Sequence, residues 1–559
     1  MEGPKTILSV RNLCISFSGN PPFIAVDHLS FSVGAAKTLA VVGESGSGKS
    51  LTALALMGLL PKEATVEGTI ELSSLERTFS VLNLQDQEWR QMRGKTAGMI
   101  FQEPMSALNP VMKIGHQLKE AIITHQNISE KDARLDAIKW LNKVQLPAPE
   151  KVYHRYPHQL SGGQKQRVMI AMAMCNEPAL LIADEPTTAL DVTVQMEIVA
   201  LMKMLQEQTG TAMIFITHDL SLAATIADEV LVMYRGATME YGDAKNVLQN
   251  PQHPYTKALI ACKPSPEHKG KTLPIVSDFL REEVQQQPLE IPTIQSSGAP
   301  VLEVNNLKVW FPEDKNWLGK PLQYFKAVND VSFTLYKGEV LGLVGESGCG
   351  KSTLSRSLMG LIPTHEGQIL FNGRDLTKLN TGEWKQVRRS VQMIFQDPYG
   401  SLNPRITIGD MLMEPLKVHN IVSRKDLKNE ALRLLDLVHL PKDSLKRYPH
   451  QFSGGQRQRL GIARALAMRP EILICDESVS ALDVSIQAQI LSLLKELQAE
   501  FQLSYLFISH DLSVVYYISD RVMVMQTGEI VERGKATDIL THPVNDYTKR
   551  LIASIPQTS

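Results

Sequence analysis

Gly43–Ser50 reads Gly-Glu-Ser-Gly-Ser-Gly-Lys-Ser, and Gly345–Ser352 repeats it as Gly-Glu-Ser-Gly-Cys-Gly-Lys-Ser. Each copy follows a short apolar run, Thr38–Val42 or Val340–Val344, and each leads into a helix-like stretch. Strand, glycine-rich loop and helix in that order make a phosphate-binding loop. The glycines let backbone N–H groups converge on phosphate oxygens, the helix N-terminus adds positive potential, and Lys49 or Lys351 adds a full charge. Ser50 and Ser352 are the hydroxyls placed for Mg²⁺. The predicted nucleotide contacts are Gly43, Glu44, Ser45, Gly46, Ser47, Gly48, Lys49, Ser50 and Leu51 in one copy. In the other they are Gly345, Glu346, Ser347, Gly348, Cys349, Gly350, Lys351, Ser352 and Thr353.

Outward from these loops, the rest of the chain also repeats. Phe17 aligns with Phe311 and Gln102 with Gln396 at an offset of 294, and the loops align at 302. From the Ser-Gly-Gly-Gln segments onward the offset is 292 throughout, as in Ser161/Ser453, Asp184/Asp476, His218/His510 and Tyr255/Tyr547. A register held over so many elements means two copies of one domain. The changes in offset place extra residues at Ser73–Gln87 in the first half and Pro312–Lys326 in the second, both expected as hairpin or turn extensions at a sheet edge. The predicted domains are 1–262 and 301–559. Between them, 263–300 is proline-rich, with four Lys/Arg and five Asp/Glu, and is expected to be a linker with one short element around Ile275–Leu280.

The bulk composition narrows the class. At 559 residues the chain exceeds a single core, and 43% hydrophobic with 21% charged residues describes an ordinary globular protein. A formal net charge of −1 supplies no general field for nucleic acid. The five cysteines lack CxxC spacing, which points to a reducing compartment and away from zinc or disulfide frameworks. Cys349 and Cys475 read as small packing residues. No apolar stretch reaches the ~20 residues of a membrane span, and the N-terminus lacks the pattern of a signal peptide. A cytoplasmic location is expected, with any membrane crossing left to separate subunits.

Two short apolar runs, Ala179–Ala183 and Glu471–Cys475, lead into Asp184-Glu185 and Asp476-Glu477. They read as buried parallel strands whose carboxylates sit at the ligand-binding edge. Asp184 and Asp476 would stand near Mg²⁺, while Glu185 and Glu477 would orient or deprotonate the attacking water. Gln102 and Gln396, after matching Met-Ile-Phe runs, read as sensors of Mg²⁺ and the γ-phosphate. His218 and His510, at the ends of further apolar strands, read as contacts to that phosphate that also hold the glutamate. Between Gln102 and Ser161 the pattern is helical, with Ser129-x-x-Asp132 and Ser423-x-x-Asp426 read as capping boxes and Leu135, Ile138 and Leu141 as an apolar face. Leu160–Gln164 and Phe452–Gln456 place Ser161, Gly163 and Gln164, or Ser453, Gly455 and Gln456, before a helix, a second anion-binding surface.

This ordered set resembles the ATP-binding-cassette (ABC) ATPases, and the resemblance covers nearly the whole chain twice. It adds the Ala-Leu-Asp loops Ala189–Asp191 and Ala481–Asp483 and puts Phe17 and Phe311 where an aromatic stacks on adenine. The implied fold is α/β: two tandem P-loop NTPase domains, each with a mainly parallel core sheet, an antiparallel β subdomain and an inserted helical subdomain. The implied ligands are ATP and Mg²⁺. Family members pair cassettes head to tail, so Ser453, Gly455 and Gln456 would complete the first loop's site, and Ser161, Gly163 and Gln164 the second's. ATP would then close the halves and hydrolysis release them.

The segments FQEPMSALNP, FQDPYGSLNP, RYPHQLSGGQ, RYPHQFSGGQ, HPYTKALI and DYTKRLI are similar to the oligopeptide, dipeptide and nickel importer branch. Fusion of both cassettes is most like the ATPases of microcin C or glutathione uptake. That resemblance implies two transmembrane permease subunits, an extracytoplasmic substrate-binding protein and a peripheral place on the cytoplasmic face of the bacterial inner membrane. Twin-cassette ribosomal ATPases are the alternative, but their long charged helical linker differs from the proline-rich one here. The motor of an exporter or of a nickel importer is a further alternative. One departure is DESVSALD in the second half, where Ser478 and Val479 replace the family's usual Pro-Thr. Another is the missing C-terminal cysteine cluster, with only Cys262 nearby, which speaks against an iron–sulfur site.

Overall fold

The structure, a computed structural model, describes residues 5–19, 22–74, 77–102, 107–188, 190–280, 298–315, 321–480 and 482–554. The chain divides into two compact units. The first contains β1 (Thr6–Phe17), β2 (Phe23–Gly34), β3 (Thr38–Val42), β4 (Ala64–Ser73), β5 (Thr78–Ser80), β6 (Ala97–Ile100), β7 (Leu180–Asp184), β8 (Ala212–Thr217), β9 (Glu229–Tyr234) and β10 (Ala237–Asp243). An antiparallel sheet runs β2-β1-β4-β5, and a six-stranded sheet runs β10-β9-β3-β8-β7-β6. The larger sheet is parallel except at its β9–β10 edge.

The second unit repeats this with β11 (Pro300–Lys315), β12 (Pro321–Tyr336), β13 (Val340–Val344), β14 (Glu366–Phe371), β15 (Arg374–Asp375), β16 (Val391–Ile394), β17 (Ile472–Asp476), β18 (Ser504–Ser509), β19 (Arg521–Gln526) and β20 (Glu529–Lys535). Its sheets run β12-β11-β14-β15 and β16-β17-β18-β13-β19-β20. Every residue of β3, β7, β13 and β17 is buried, as unbroken apolar runs require in parallel strands covered on both faces. The core of the first unit has two parts. Leu8, Val10, Leu13 and Ile15 of β1 pack with Val41, Ile182 and Ile214 of the parallel sheet. The inserted helices contribute Ile114, Leu118, Trp140 and Leu141, packed with Ile170, Val199 and Phe215.

Both insertions are hairpin features. The register Phe311↔Phe325 and Pro312↔Tyr324 extends the β11–β12 hairpin at a sheet edge, and Ser73–Gln87 holds the β4–β5 hairpin with the turn Val81–Asn83. Two local expectations change. Leu135 is 58% exposed, because the helix Glu130–Lys143 turns Ala133, Ala137, Trp140 and Leu141 inward instead. Ser129 does cap that helix, accepting from the Asp132 N–H. Ser423 does not cap its counterpart: it bonds the Asp426 carboxylate within a turn, and the helix begins at Leu427. Among the described residues no helix is long and apolar enough to cross a membrane.

The segment expected to be a linker is partly structured. Cys262–Ile275 belongs to the second unit, where Leu273 is buried. The Lys269 ammonium donates to the carbonyls of Tyr516 and Ser519 at the C-terminal end of the helix Leu512–Ile518, and the Tyr517 hydroxyl donates to Lys271 O at 2.9 Å. Those helix-end carbonyls have no partner within the helix, and the cation also matches the negative end of the helix dipole. The helix Val276–Leu280 follows, and residues 281–297 lie outside those described. Lys269→Ala should cost about 1 kcal/mol, since burial has already pushed the ammonium down to about 8 and offsets part of the lost hydrogen bonding. The check is limited trypsin digestion: cleavage after Lys271 should appear in the variant before it appears in the parent.

Candidate nucleotide sites

Each loop is built around a buried lysine. Lys49 is 4% exposed, and its ammonium donates to Gly43 O at 2.7 Å and Glu44 O at 2.8 Å. Lys351 repeats this with Gly345 O at 2.7 Å and Glu346 O at 2.9 Å. Gly43 and Gly345 follow their strands where a Cβ would sit 2.1 Å from Met233 O and 2.2 Å from Met525 O, so only glycine fits. Ser45, Gly46, Ser347 and Gly348 are exposed at the loop tips, while Ser47, Gly48, Cys349 and Gly350 are buried where the helices begin. Leu51 and Thr353 are half-buried in the first helical turns.

The sheet brings the predicted acidic residues to these loops. Ser50 donates to Asp184 at 3.0 Å and Ser352 to Asp476 at 3.2 Å. After each aspartate the backbone turns left-handed, with φ of 46° at Glu185 and 48° at Glu477. That conformation is uncommon for a non-glycine residue and costs on the order of 1 kcal/mol. It is held by hydrogen bonds from the Glu185 N–H to Ile216 O at 3.0 Å and the Glu477 N–H to Ile508 O at 2.9 Å.

Both glutamates gather the other predicted residues. Glu185 accepts from Gln102 at 3.2 Å and lies 3.4 Å from His218 Nδ1. Glu477 accepts from Gln396 at 2.7 Å and lies 3.6 Å from His510 Nδ1 and 3.8 Å from Lys351 Nζ. Electrostatics separate the neighbouring carboxylates. Burial pushes Asp184 up to about 6, with the Ser50 hydrogen bond offsetting part and the Glu185 charge adding to it. Burial also works against Glu185, but His218, the Thr188 hydroxyl and Lys49 outweigh it and hold that carboxyl at about 2. The second pair shifts in the same directions: burial raises Asp476, while Glu477 is lowered because His510 and Lys351 overcome its burial.

Ser161 and Ser453 form a separate constellation at the start of the helices Gly162–Met174 and Gly454–Leu466. Each serine accepts from the glutamine three residues on, and Gln164 or Gln456 accepts from the serine N–H in return. Ser-Gly-Gly-Gln is therefore a capping box. Gly163 and Gly455 let neighbouring helices approach, since a Cβ there would meet Val194 at 2.9 Å and Ile486 at 2.3 Å. Phe17 packs against the first unit's core, whereas Phe311 is 39% exposed. Ala189 and Ala481 lie outside the described residues.

Several participants carry no motif of their own. The Thr188 hydroxyl donates to the Glu185 carboxylate at 2.8 Å, whereas its counterpart Ser480 donates to the Glu477 backbone carbonyl at 2.9 Å. Ser355 adds a second hydroxyl to Asp476 at 3.1 Å, where the first unit has Ala53. Tyr255 and Tyr547 accept hydrogen bonds from the N–H groups of Glu44 and Glu346 at 3.2 Å and 3.0 Å. The sequence signals for the tyrosines are their matched position in the repeat and the segments HPYTKALI and DYTKRLI that carry them, neither of which points to the loops.

The ABC transporter family pattern matches residues 26–188 and 328–480. The C-terminal region of oligopeptide/dipeptide transporters matches 239–286 and 531–559. The glutathione import ATP-binding protein GsiA of Escherichia coli (strain K12) is 48% identical over 98% of this chain and 89% of its own length. The protein of that name from Shigella sonnei (strain Ss046) matches to the same extent. A solved dimeric bacterial ABC transporter cassette is similar at 27% identity and a TM-score of 0.38, covering 42% of this chain and 98% of the cassette.

The opposed carboxylate shifts predict a pH signature of the nucleotide-free protein. A carboxyl raised from 3.8 to about 6 binds its proton more tightly when folded, so its contribution is full below about pH 4 and is lost as pH rises through 6. Glu185 acts in the opposite sense, stabilising above pH 4.5 and losing that contribution as pH falls towards 2. Asp184→Asn should therefore raise nucleotide-free stability at pH 7 by about 3 kcal/mol, with little difference at pH 4. Chemical denaturation at the two pH values measures this; an equal effect at both would remove Asp184 ionisation as the cause.

Proposed function

We propose that this chain, which belongs to the ABC transporter family, is the ATP-hydrolysing motor of an importer whose cargo is small peptides, with glutathione as the specific candidate. One observation carries this reading: the nucleotide-binding segment and the oligopeptide/dipeptide transporter C-terminal region both occur twice in a single chain. Full-length similarity to a glutathione import ATP-binding protein supports the cargo class. The transmembrane path would be supplied by two permease subunits, and an extracytoplasmic binding protein would deliver the cargo. The chain would then sit peripherally on the cytoplasmic face of the bacterial inner membrane.

ATP binds where the loop amides converge, and the lysine ammonium exchanges its loop carbonyls for phosphate oxygens. Ser50 with Asp184, and Ser352 with Asp476, offer the hard oxygen donors that suit Mg²⁺, whose charge would neutralise the phosphates. Glu185 and Glu477 act on the attacking water. In the nucleotide-free chain one oxygen of Glu185 already accepts from Gln102 and Thr188 and faces His218. A carboxylate held so low is a weak base. Drawing Gln102 towards the nucleotide would remove one donor from that oxygen and leave it to Thr188 and His218, and moving Lys49 onto phosphate would take away part of the positive charge that holds the carboxylate low. Head-to-tail pairing of the cassettes would complete each site with Ser453, Gly455 and Gln456 or with Ser161, Gly163 and Gln164.

Steady-state ATP hydrolysis by Glu185→Gln and Glu477→Gln tests the assignment. Each single substitution should lower turnover by about a hundredfold if the two sites depend on one another, and the double substitution should abolish it. Full activity in either single variant contradicts that dependence, and wild-type rates in the double variant remove both residues from the chemistry.

A further inference from the structure

Tyr255 and Tyr547 lie in the matched C-terminal regions, over two hundred residues from the loops they touch. Tyr255 is fully buried and Tyr547 is 4% exposed. The Gly43–Glu44 peptide is held from two directions: its carbonyl accepts from Lys49 at 2.7 Å, and its N–H donates to Tyr255 at 3.2 Å. The Gly345–Glu346 peptide is held the same way, by Lys351 at 2.7 Å and Tyr547 at 3.0 Å. We propose that Tyr255 and Tyr547 are positioning residues for the phosphate loops, each fixing the first loop peptide through its hydroxyl while the lysine turns to the nucleotide.

The tyrosines are themselves anchored. In the first unit the Glu240 carboxylate accepts from the N–H groups of Gln252 at 2.9 Å and His253 at 3.2 Å, just before the helix Pro254–Ala261. In the second, Glu532 accepts from Val544 at 2.8 Å and Asn545 at 3.1 Å, before the helix Asp546–Ala553. His253 and Asn545 then accept from the tyrosine N–H groups, at 3.1 Å and 2.8 Å. The Tyr234 ring packs against Tyr255 with centroids 4.4 Å apart. Each hydroxyl is thus tied through a short helix to the antiparallel edge of the parallel sheet, and its position is set before any ligand arrives.

Phosphate competes for the lysine. When the ammonium leaves Gly43 O or Gly345 O, the tyrosine hydroxyl still holds the same peptide and keeps it from rotating. Removing that hydroxyl leaves a loop whose binding-competent shape is only partly populated, and apparent affinity falls by that fraction. This inference rests on the ATP-site assignment, and the test separates the two. ATP binding is measured by equilibrium dialysis on the full chain carrying Glu185→Gln and Glu477→Gln, so that no nucleotide is consumed.

Adding Tyr255→Phe should weaken one of two binding events about fivefold, the worth of one ordinary hydrogen bond, and Tyr547→Phe should weaken the other. Tyr234→Phe, which trims a ring packed on Tyr255, should change neither. The rise in melting temperature on adding ATP should shrink in both loop-facing variants while the nucleotide-free melting temperature stays within a few degrees of the parent. Unchanged affinity in both variants overturns the proposal, as does a lowered nucleotide-free melting temperature with affinity intact, which marks a purely structural role. Lys49→Ala with Lys351→Ala reports on the site itself: undiminished ATP binding there overturns the site assignment and the proposal with it.

Discussion

A buried lysine ammonium is the constraint around which each half is organised. Removing such a charge from water is expensive unless it is paired or fully hydrogen-bonded. Lys49 and Lys351 are both 4% exposed, and the first two carbonyls of each loop turn to them. Glycine is needed where β3 and β13 end, because the loop backbone passes against Met233 and Met525. The parallel order of the sheet then sets β7 and β17 to deliver carboxylates to the same edge. Each loop holds its cation on its own carbonyls beside a pair of carboxylates, and in the first unit one is raised by burial and the other lowered by its basic and hydroxyl partners.

Duplication has not produced identical sites. Glu185 is steadied by the Thr188 hydroxyl, whereas Ser480 turns to the backbone and Glu477 has Lys351 within 3.8 Å. Asp476 receives two hydroxyls, from Ser352 and Ser355, and Asp184 receives one, from Ser50. The sequence departure, Ser478 and Val479, lies between Glu477 and Ser480 and does not include Ser480. The two carboxylate pairs share a design and differ in how tightly each glutamate is held before nucleotide arrives.

The residues that build the loops and sheet edges were legible in the sequence because their constraints are local. A five-residue apolar run beside a glycine-rich loop can only be a covered strand, and Thr38–Val42 and Val340–Val344 are those strands. The strand-end carboxylates followed from the same logic. What was not legible depends on packing at long range. Tyr255 sits in a branch-like segment, but nothing in that segment points to the loop until the chain folds its hydroxyl against Glu44. Leu135 has the right type for a core face but the wrong angle on its helix. The stretch before Ile275 looks like plain linker because its tethers, the Lys269 ammonium, the Lys271 carbonyl and the buried Leu273, reach elements distant in sequence. Its apolar content alone would not have predicted that docking.

The central claim is that one chain carries two ATP sites. Its most direct test is the number of ATP molecules bound per chain at saturation, with Mg²⁺ present and turnover blocked by low temperature. Two ATP per chain is the predicted result. A plateau at one, or no saturable binding at all, would contradict it.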